Sequence, residues 1–328
     1  MGALDQATLA KIPETFQAIV DQGAISGFVS LIWHKGEIVQ INCIGFRDVE
    51  ERRPMQRDTL FRIASMTKPV TSVAALMLVE EGRIGLHDPI SRHLPEFAGV
   101  RVLKDPAGSL DATEPARREP TTADLLTHRS GIAYGFSAQG ELACAYDALL
   151  GPAFARSIGG DEWVKAIAGL PLMYQPGERM HYGQSTDVLG FLVARVEGKP
   201  LGEVLRQRIF DPLAMDDSGF FVPPAKRNRI ASLYTKPGDG RPLRSVRLPV
   251  PDQPPLFEGG GEGPSRPRTI ISALPACSST AANSTASACS AARPSRTWYR
   301  IISRPSSGRW ISSACPFGTA WASGSACR

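Results

Sequence analysis

Residues 61–70 read Phe-Arg-Ile-Ala-Ser-Met-Thr-Lys-Pro-Val and contain the spacing Ser65-x-x-Lys68. A serine hydroxyl is a weak nucleophile at neutral pH and needs a neighbouring base or a favourable electric field. A lysine three residues later lies on the same face of a helix, within reach of the serine side chain. The unpaired N–H groups and the positive dipole end at a helix start also favour negative charge on the serine. The stretch therefore predicts that Ser65 is a nucleophile assisted by Lys68.

Pro69 indicates where this helix begins. Proline has no N–H to donate, so it is tolerated only in about the first four helical positions, which places the start near Ser65. Apolar residues at helical spacing predict a buried stripe beyond it, formed by Val70, Val73, Ala74, Met77 and Leu78. The Ser-x-x-Lys spacing alone is weak evidence, because a helix-capping serine followed by an exposed lysine has the same pattern.

Three further motifs follow in order along the chain. They are Leu-Leu-Thr-His-Arg-Ser-Gly at residues 125–131, Tyr-Gly-Gln-Ser-Thr-Asp-Val-Leu-Gly at 182–190 and Phe-Asp-Pro-Leu-Ala-Met at 210–215. With these motifs, residues 10–263 resemble the β-lactamase-fold serine carboxylesterases, often called family VIII esterases, of the class C β-lactamase and penicillin-binding-protein superfamily. The resemblance implies an α/β fold, in which an antiparallel sheet with flanking helices carries an inserted, mostly helical domain.

The resemblance also implies a catalytic set of Ser65, Lys68 and Tyr182. The phenol of Tyr182, kept anionic or hydrogen-bonded by Lys68, would take the proton from Ser65 and later pass it to the leaving alcohol. The implied reaction is hydrolysis of a short-chain carboxylic ester through an acyl-serine intermediate, with no cofactor and no metal. A β-lactamase, a D,D-peptidase and an acyltransferase of the same superfamily are alternatives. Gly183 and Gln184 stand where related esterases commonly carry Ser and class C β-lactamases carry Asn, which weakens the case for β-lactam hydrolysis.

One element of the family pattern is not found in the sequence. Relatives line the site with a Lys-Gly-Gly, His-Gly-Gly or Trp-Gly-Gly strand that gives one N–H to the oxyanion hole. It should fall after residue 263, where Pro316–Thr319 is no convincing substitute. Losing one oxyanion donor costs about 10²- to 10³-fold in rate, so a catalytically impaired remnant is a further hypothesis. For His128, in the second motif, we expect a packing role.

The composition changes after Gly263. Residues 264–328 contain 15 Ser, eight Arg and no Lys, Asp or Glu, without helical or strand periodicity. We interpret this segment as an out-of-frame translation of GC-rich DNA in preference to a natural disordered tail. The predicted organisation has four segments. They are an N-terminal helix and hairpin of the α/β domain (1–57), a mostly helical domain (58–220), a return to the α/β domain (221–263) and the atypical tail (264–328).

Periodicity and turn signals predict the individual elements. Strands are expected at residues 27–34 and 37–45, and a loop with short helical pieces at 88–119. Helices are expected at residues 3–24, 58–82, 121–127, 161–168, 185–196 and 201–210.

The net charge of +5 does not indicate an anionic partner. Eight of the 37 Lys and Arg, but none of the 32 Asp and Glu, follow residue 263, so residues 1–263 carry a net charge of −3. Nucleic-acid binding therefore has no support. No apolar run approaches the roughly 20 residues of a membrane helix, and the first helix lacks the features of a signal peptide. We expect a cytoplasmic protein with a small-molecule ester substrate and no membrane partner, and the sequence gives no indication of oligomeric state.

Overall fold

The computed structural model describes residues 5–35, 37–150, 158–237, 241–248 and 250–261, together with the backbone of residues 271–272. The atypical segment from Pro264 therefore lies almost entirely outside the described residues, and so does Pro316–Thr319. The division of the chain at residues 57, 220 and 263 stays a prediction.

The N-terminal region is a helix packed on a small antiparallel sheet. Helix α1 (Gln6–Asp21) is capped at its N-terminus by Asp5, whose carboxylate accepts from the Ala7 N–H at 3.0 Å. It packs against β2, and the rings of Phe16 and Phe28 stack with centroids 3.6 Å apart. Strands β1 (Gly27–His34), β2 (Glu37–Asp48) and β3 (Arg53–Pro54) form a sheet in that order.

The predicted hairpin of this sheet is present. Strand β1 has the predicted bounds, and it pairs with β2 from Gly27 opposite Gly45 to His34 opposite Glu37. Strand β2 runs past its predicted end to Asp48, because Phe46 and Asp48 pair with β3.

Helix α2 (Thr67–Glu80) begins inside the first motif and starts later than predicted, at Thr67, whereas the helix was expected over residues 58–82 with Pro69 placing its start near Ser65. Strand β4 (Phe61–Arg62) leads into a 3-10 turn (Ala64–Met66) and then into helix α2 (Thr67–Glu80). Pro69 is thus the third residue of the helix, within the turn where its missing N–H has no cost.

The predicted buried stripe on α2 is correct only in part. Ala74 and Leu78 are fully buried, but Val73 is 37% exposed, while Thr67 and Thr71 are fully buried. The buried face is thus rotated toward residues with hydroxyl groups. Apolar periodicity did not show this, because a threonine such as Thr71 can be buried when its hydroxyl finds a hydrogen-bond acceptor.

The middle of the chain contains elements that the sequence did not reveal. Between residues 88 and 119, the structure adds a two-stranded ladder of β5 (Arg101–Leu103) and β6 (Thr113–Pro115) to the short helical turns that were expected. Helix α3 (Thr122–Leu126) starts at a capping box, in which Thr121 and Asp124 bond to each other's backbone N–H. Helix α4 (Gly140–Leu150) was not predicted.

The helical core is formed by elements that come later in the chain. Helices α5 (Gly160–Ala168) and α6 (Ser185–Glu197) lie close to their predicted positions. The predicted helix at 201–210 is split into α7 (Leu201–Leu205) and a π-helical turn (Arg206–Phe210). Helix α2 packs against α6 and α7, and the core shared by these helices includes Leu78, Phe97, Leu189, Leu192 and Phe210.

Short strands complete the fold. Strand β7 (Leu233–Thr235) pairs with β8 (Arg244–Val246), and β4 pairs with β9 (Ile271–Ser272). Together the elements form the α/β architecture that was predicted, with antiparallel sheets and flanking helices. No helix in the described part of the chain is long and apolar enough to cross a membrane.

Candidate active site

The structure brings the three predicted site residues into contact. The Ser65 Oγ lies 2.8 Å from the Tyr182 phenolic oxygen, and the Lys68 Nζ donates to the same Oγ at 3.1 Å. The Lys68 Nζ is also 4.9 Å from the centroid of the Tyr182 ring. One hydroxyl thus meets an ammonium group and a phenol, which is the arrangement needed for nucleophilic attack with proton transfer.

Ser65 and Lys68 belong to the start of α2. Ser65 lies in the 3-10 turn and Lys68 in the first turn of the helix, so the spacing of three residues places both side chains on one face. The preceding residue, Ala64, has a φ of +43°, a left-handed conformation that costs a non-glycine residue of order 1–3 kcal/mol. Ser65 is exposed to solvent at this bend.

Tyr182 belongs to the loop that precedes α6. Its carbonyl accepts from the Ser137 hydroxyl at 2.9 Å. Its ring packs against the rings of His128, at a centroid distance of 4.9 Å, and Tyr134, at 5.5 Å. Tyr182 is therefore fixed by side chains from a distant part of the sequence.

Gly183, one of the departures from the family pattern, has a steric explanation. A Cβ at this position would lie 2.0 Å from the Ile132 carbonyl oxygen, closer than any real side chain can approach. The chain has no room here for the serine that related esterases commonly carry. The close approach of these two backbones also helps to fix the loop that holds Tyr182.

His128 packs beside Tyr182 as a neutral imidazole. Burial lowers the pKa of His128 to about 4, and the positive charges of Lys68 and His181 add to this effect. The His128 carbonyl, at a residue with a φ of +53°, accepts from the His181 N–H at 2.8 Å. The ring Nδ1 lies 3.5 Å from the Gly183 N–H as its acceptor. His128 thus packs against Tyr182, as expected. It also accepts hydrogen bonds from the residues just before and just after Tyr182, His181 and Gly183.

A second layer of contacts connects Lys68 to α6 through a glycine pair. The Lys68 Nζ also donates to the Gly261 carbonyl, and the Gly261 N–H donates to Asp187 Oδ1 at 2.9 Å. The Tyr134 hydroxyl donates to Asp187 Oδ2 at 3.0 Å. Sequence reasoning missed Tyr134 and Asp187. Only Asp187 had a signal in the sequence, because this residue falls inside the motif at 182–190, on an apolar helix face where a carboxylate needs hydrogen-bond partners.

The described part of the site holds no candidate metal-binding group. Among the described residues, no three or more His, Cys, Asp or Glu side chains come together as a metal-binding group. The third element of the site, a Gly-Gly strand with an oxyanion donor, was expected after residue 263, where the structure describes only the backbone of residues 271–272.

Comparison with known proteins gives the family. The sequence profile of the family described as Beta-lactamase matches residues 12–314. The chain belongs to the beta-lactamase family. The match extends past Gly263 into the Ser-rich segment, whose out-of-frame origin stays a prediction.

Two relatives and one solved structure show where the chain lies among beta-lactamase family proteins. It is 45% identical to Protein Rv1367c of Mycobacterium tuberculosis, over 76% of this chain and 61% of that protein. It is 36% identical to Esterase EstB of Burkholderia gladioli, over 79% and 62% respectively. The structure of EstCE1, described as a hydrolase with promiscuous acyltransferase activity, superposes with a TM-score of 0.63 at 25% identity, covering 81% of this chain and 70% of that chain.

The chain spans about three fifths of the length of the two curated relatives, whose covered shares are 61% and 62%. The predicted resemblance is confirmed at the level of the fold and of a serine hydrolase superfamily that includes esterases and acyltransferases.

Proposed function

We propose that the protein is a serine carboxylesterase that cleaves short-chain esters through an acyl-serine intermediate. The observation that carries this proposal is the contact of one exposed hydroxyl, Ser65 Oγ, with both the Tyr182 phenol at 2.8 Å and the Lys68 ammonium at 3.1 Å. Together they offer a proton acceptor and a positive charge at the reacting oxygen.

The first half of the reaction forms the acyl-enzyme. The Ser65 Oγ attacks the ester carbonyl carbon while its proton moves to the oxygen of Tyr182, which acts as a phenolate beside the Lys68 ammonium, and the carbonyl π electrons move onto the carbonyl oxygen. When this tetrahedral intermediate collapses, the bond to the alkoxy group breaks and Tyr182 passes the proton to the leaving alcohol. The Lys68 charge stabilises the negative charge that builds on these oxygens, and the Ser65 backbone N–H supplies an oxyanion donor.

The second half returns the enzyme to its starting state. Water loses a proton to Tyr182 and attacks the acyl carbonyl, and the proton then returns to Ser65 Oγ as the carboxylic acid leaves. An alcohol in place of water would give transesterification. The structural relative EstCE1 is described as a hydrolase with promiscuous acyltransferase activity. Added alcohols should therefore be included in the assay to detect transesterification.

Exposed apolar side chains near the three residues favour an ester with apolar groups. Met66, next to the nucleophile, is 69% exposed, and Phe136 is 63% exposed with its ring stacked on Tyr134 at a centroid distance of 5.1 Å. Met180, two residues before Tyr182, is also exposed. Large apolar side chains left in water around a polar cluster are typical of a ligand site. Gln184, in place of the Asn of class C β-lactamases, favours an ester over a β-lactam.

The test compares the wild type with Ser65→Ala on p-nitrophenyl butyrate and on a chromogenic cephalosporin. We expect ester turnover in the wild type and at least a 10³-fold loss in Ser65→Ala, because the nucleophile is removed. Ser72→Ala, on the same helix, is the matched control and should retain activity. Equal ester rates in the wild type and Ser65→Ala would disprove the proposal. Turnover of the cephalosporin alone would favour a β-lactamase, and turnover of neither by a protein with a cooperative melt would favour an impaired remnant.

A second measurement reports on the intermediate itself. After rapid acid quench, mass spectrometry of the intact protein should detect a butyryl adduct on the wild type and none on Ser65→Ala. A proteolytic digest of the wild type should place the adduct on the peptide that contains Ser65. The cytoplasmic location and the absence of a nucleic-acid partner stay predictions.

A further inference from the structure

We propose that Thr71 and Asp187 are positioning residues that act on Lys68 through the backbone of Gly260 and Gly261. This inference rests on the proposed function, because it concerns how Lys68 is held against Ser65. It goes beyond that function in assigning a role to a threonine, a carboxylate and a glycine pair that touch none of the reacting atoms.

The first step is the anchor of Lys68 itself. Its Nζ donates to two acceptors, the Ser65 hydroxyl and the Gly261 carbonyl. Within the described residues, no carboxylate lies within ion-pair distance of this ammonium group. A lysine side chain has four rotatable bonds, so a single contact with Ser65 would leave it free to take other conformations. The Gly261 carbonyl is the second point that fixes the position of the nitrogen.

The second step is the hold of Asp187 on Gly261. The Asp187 carboxylate is only 5% exposed and accepts from the Gly261 N–H at 2.9 Å. Its other oxygen accepts from the Tyr134 hydroxyl at 3.0 Å. A buried carboxylate is retained only when hydrogen bonds compensate for the lost water. Here those bonds connect helix α6 to the backbone that faces Lys68.

The third step is the hold of Thr71 on Gly260. The Thr71 hydroxyl donates to the Gly260 carbonyl at 2.8 Å, and the residue is fully buried. Thr71 lies three residues after Lys68 on α2, and therefore on the same helical face. One helix thus supplies both the lysine and a tether for the segment to which that lysine bonds.

The fourth step is the close packing of the glycine pair between the two helices. A Cβ at Gly260 would lie 2.6 Å from the Thr186 carbonyl oxygen, and a Cβ at Gly261 would lie 2.6 Å from Asp187 Oδ2. At Gly260 the close contact is with backbone, so only glycine allows this approach there. The segment is therefore held from the α2 side by Thr71 and from the α6 side by Asp187, and its carbonyl points to the ammonium of Lys68.

The first test is a pair of substitutions at Thr71. Thr71→Val keeps the shape of the side chain but removes the hydroxyl, whereas Thr71→Ser keeps the hydroxyl and removes the methyl group. We expect Thr71→Val to lower kcat for p-nitrophenyl butyrate about tenfold with KM unchanged, since one lost hydrogen bond corresponds to about that factor. Thr71→Ser should stay within about twofold of the wild type.

Thr67 provides the matched control. It is also a fully buried threonine on α2, next to Lys68, but its hydroxyl has no hydrogen-bond partner among the described residues. Thr67→Val should leave kcat unchanged and should not lower the melting temperature. If Thr67→Val and Thr71→Val reduce kcat equally, the effect is a general response of the helix and the proposal is overturned.

A double-mutant cycle tests whether the two tethers act on the same segment. Asp187→Asn should lower kcat at least as much as Thr71→Val, with KM unchanged. The double variant should lose much less than the product of the two single losses, because either substitution already releases the glycine pair. Multiplicative losses would show independent roles and would contradict the proposal. If Thr71→Val has no cooperative melt, Asp187→Asn decides by the same separation of kcat from KM.

The rate at which a fluorophosphonate labels Ser65 separates failure of this inference from failure of the proposed function. A wild type that neither hydrolyses the ester nor reacts with the probe at Ser65 would overturn both proposals. A reactive wild type with an equally reactive Thr71→Val would overturn only the positioning role. Slower labelling of Thr71→Val, restored in Thr71→Ser, would support it.

Discussion

The two walls of the site are built in different ways. On the α2 wall, Ser65, Lys68 and Thr71 are spaced three residues apart along one continuous stretch, so the helix itself sets their geometry. On the opposite side, which we call the Tyr182 wall, Tyr182 lies in a loop. It is held there by Ser137 and His128, which come much earlier in the chain. The difference teaches that half of the proposed site is local in sequence and half depends on tertiary contacts. Substitutions on the two walls should therefore have different signatures.

The largest effect is expected from Tyr182→Phe. The substitution keeps the ring against His128 but removes the oxygen that contacts Ser65 Oγ. Loss of a general acid–base group costs about 10²- to 10⁴-fold in kcat. Steady-state kinetics on p-nitrophenyl butyrate, with melting temperature as a check on folding, would measure this. Tyr234→Phe on β7 is the control, and a variant Tyr182→Phe with wild-type kcat would remove the phenol from the proposed mechanism.

The next largest effect is expected from the buried side of helix α2, which packs into the helical core. Leu78 is fully buried in the helical core, so Leu78→Ala should lower the free energy of unfolding by about 2–5 kcal/mol. Because Ser65 and Lys68 are placed by the helix start, the fraction that stays folded should keep its kcat within about twofold. Urea unfolding and active-site titration would measure both quantities. Val73→Ala, at a site 37% exposed on the same helix, should cost well under 1 kcal/mol. A loss of kcat in Leu78→Ala as large as that in Tyr182→Phe would show that the α2 wall is not local.

The same contrast explains what could be predicted from the sequence. The spacing of Ser65 and Lys68, the proline after them and the bounds of strand β1 depend on local rules, so they could be read without a structure. The tethers Thr71 and Asp187 could not, because a buried hydroxyl or carboxylate is explained only by the backbone groups that it reaches. The β5–β6 ladder was missed, since three-residue strands carry too little periodicity to detect.

The family motifs extended the prediction of site residues to the Tyr182 wall. Tyr182 was named only through the resemblance, because no spacing rule relates it to Ser65. The steric need for Gly183 appeared only when the Ile132 carbonyl was seen beside it. In this protein, the Ser65 and Lys68 part of the site can be predicted from local spacing, whereas the Tyr182 part depends on contacts between residues that are distant in sequence.

His128 offers a pH test of the Tyr182 wall. Burial holds the pKa of His128 at about 4 in the folded protein, below its ordinary value of 6.5, and the charges of Lys68 and His181 act in the same direction. Between these pH values the unfolded chain binds a proton that the folded chain excludes, so the free energy of unfolding falls as the pH falls. After allowance for the partial exposure of the ring, the loss between pH 6.5 and pH 4 should be about 2 kcal/mol.

The variant His128→Asn isolates this contribution. Asparagine tolerates the left-handed backbone at this position, where φ is +53°, and does not titrate in this range. The difference in urea-derived unfolding free energy between the wild type and the variant should shrink as the pH is lowered from 7 to 4.5. A constant difference across that range would show that the imidazole is not kept neutral by its environment.

The smallest effect is expected at the outer edge of the Tyr182 wall, where the Phe136 ring covers Tyr134 and leaves its other face to solvent. Phe136→Ala should lower kcat/KM for p-nitrophenyl phenylacetate about two- to tenfold more than for p-nitrophenyl acetate, because a stacked aromatic pair is worth about 0.5–1.5 kcal/mol. Phe136→Tyr keeps the ring and should retain the preference, while Trp33→Ala, at an exposed aromatic on β1, should not change it. Equal losses on both esters would mean that Phe136 supports Tyr134 without contacting substrate. Tyr134 would then be the outermost residue of the Tyr182 wall that contacts substrate.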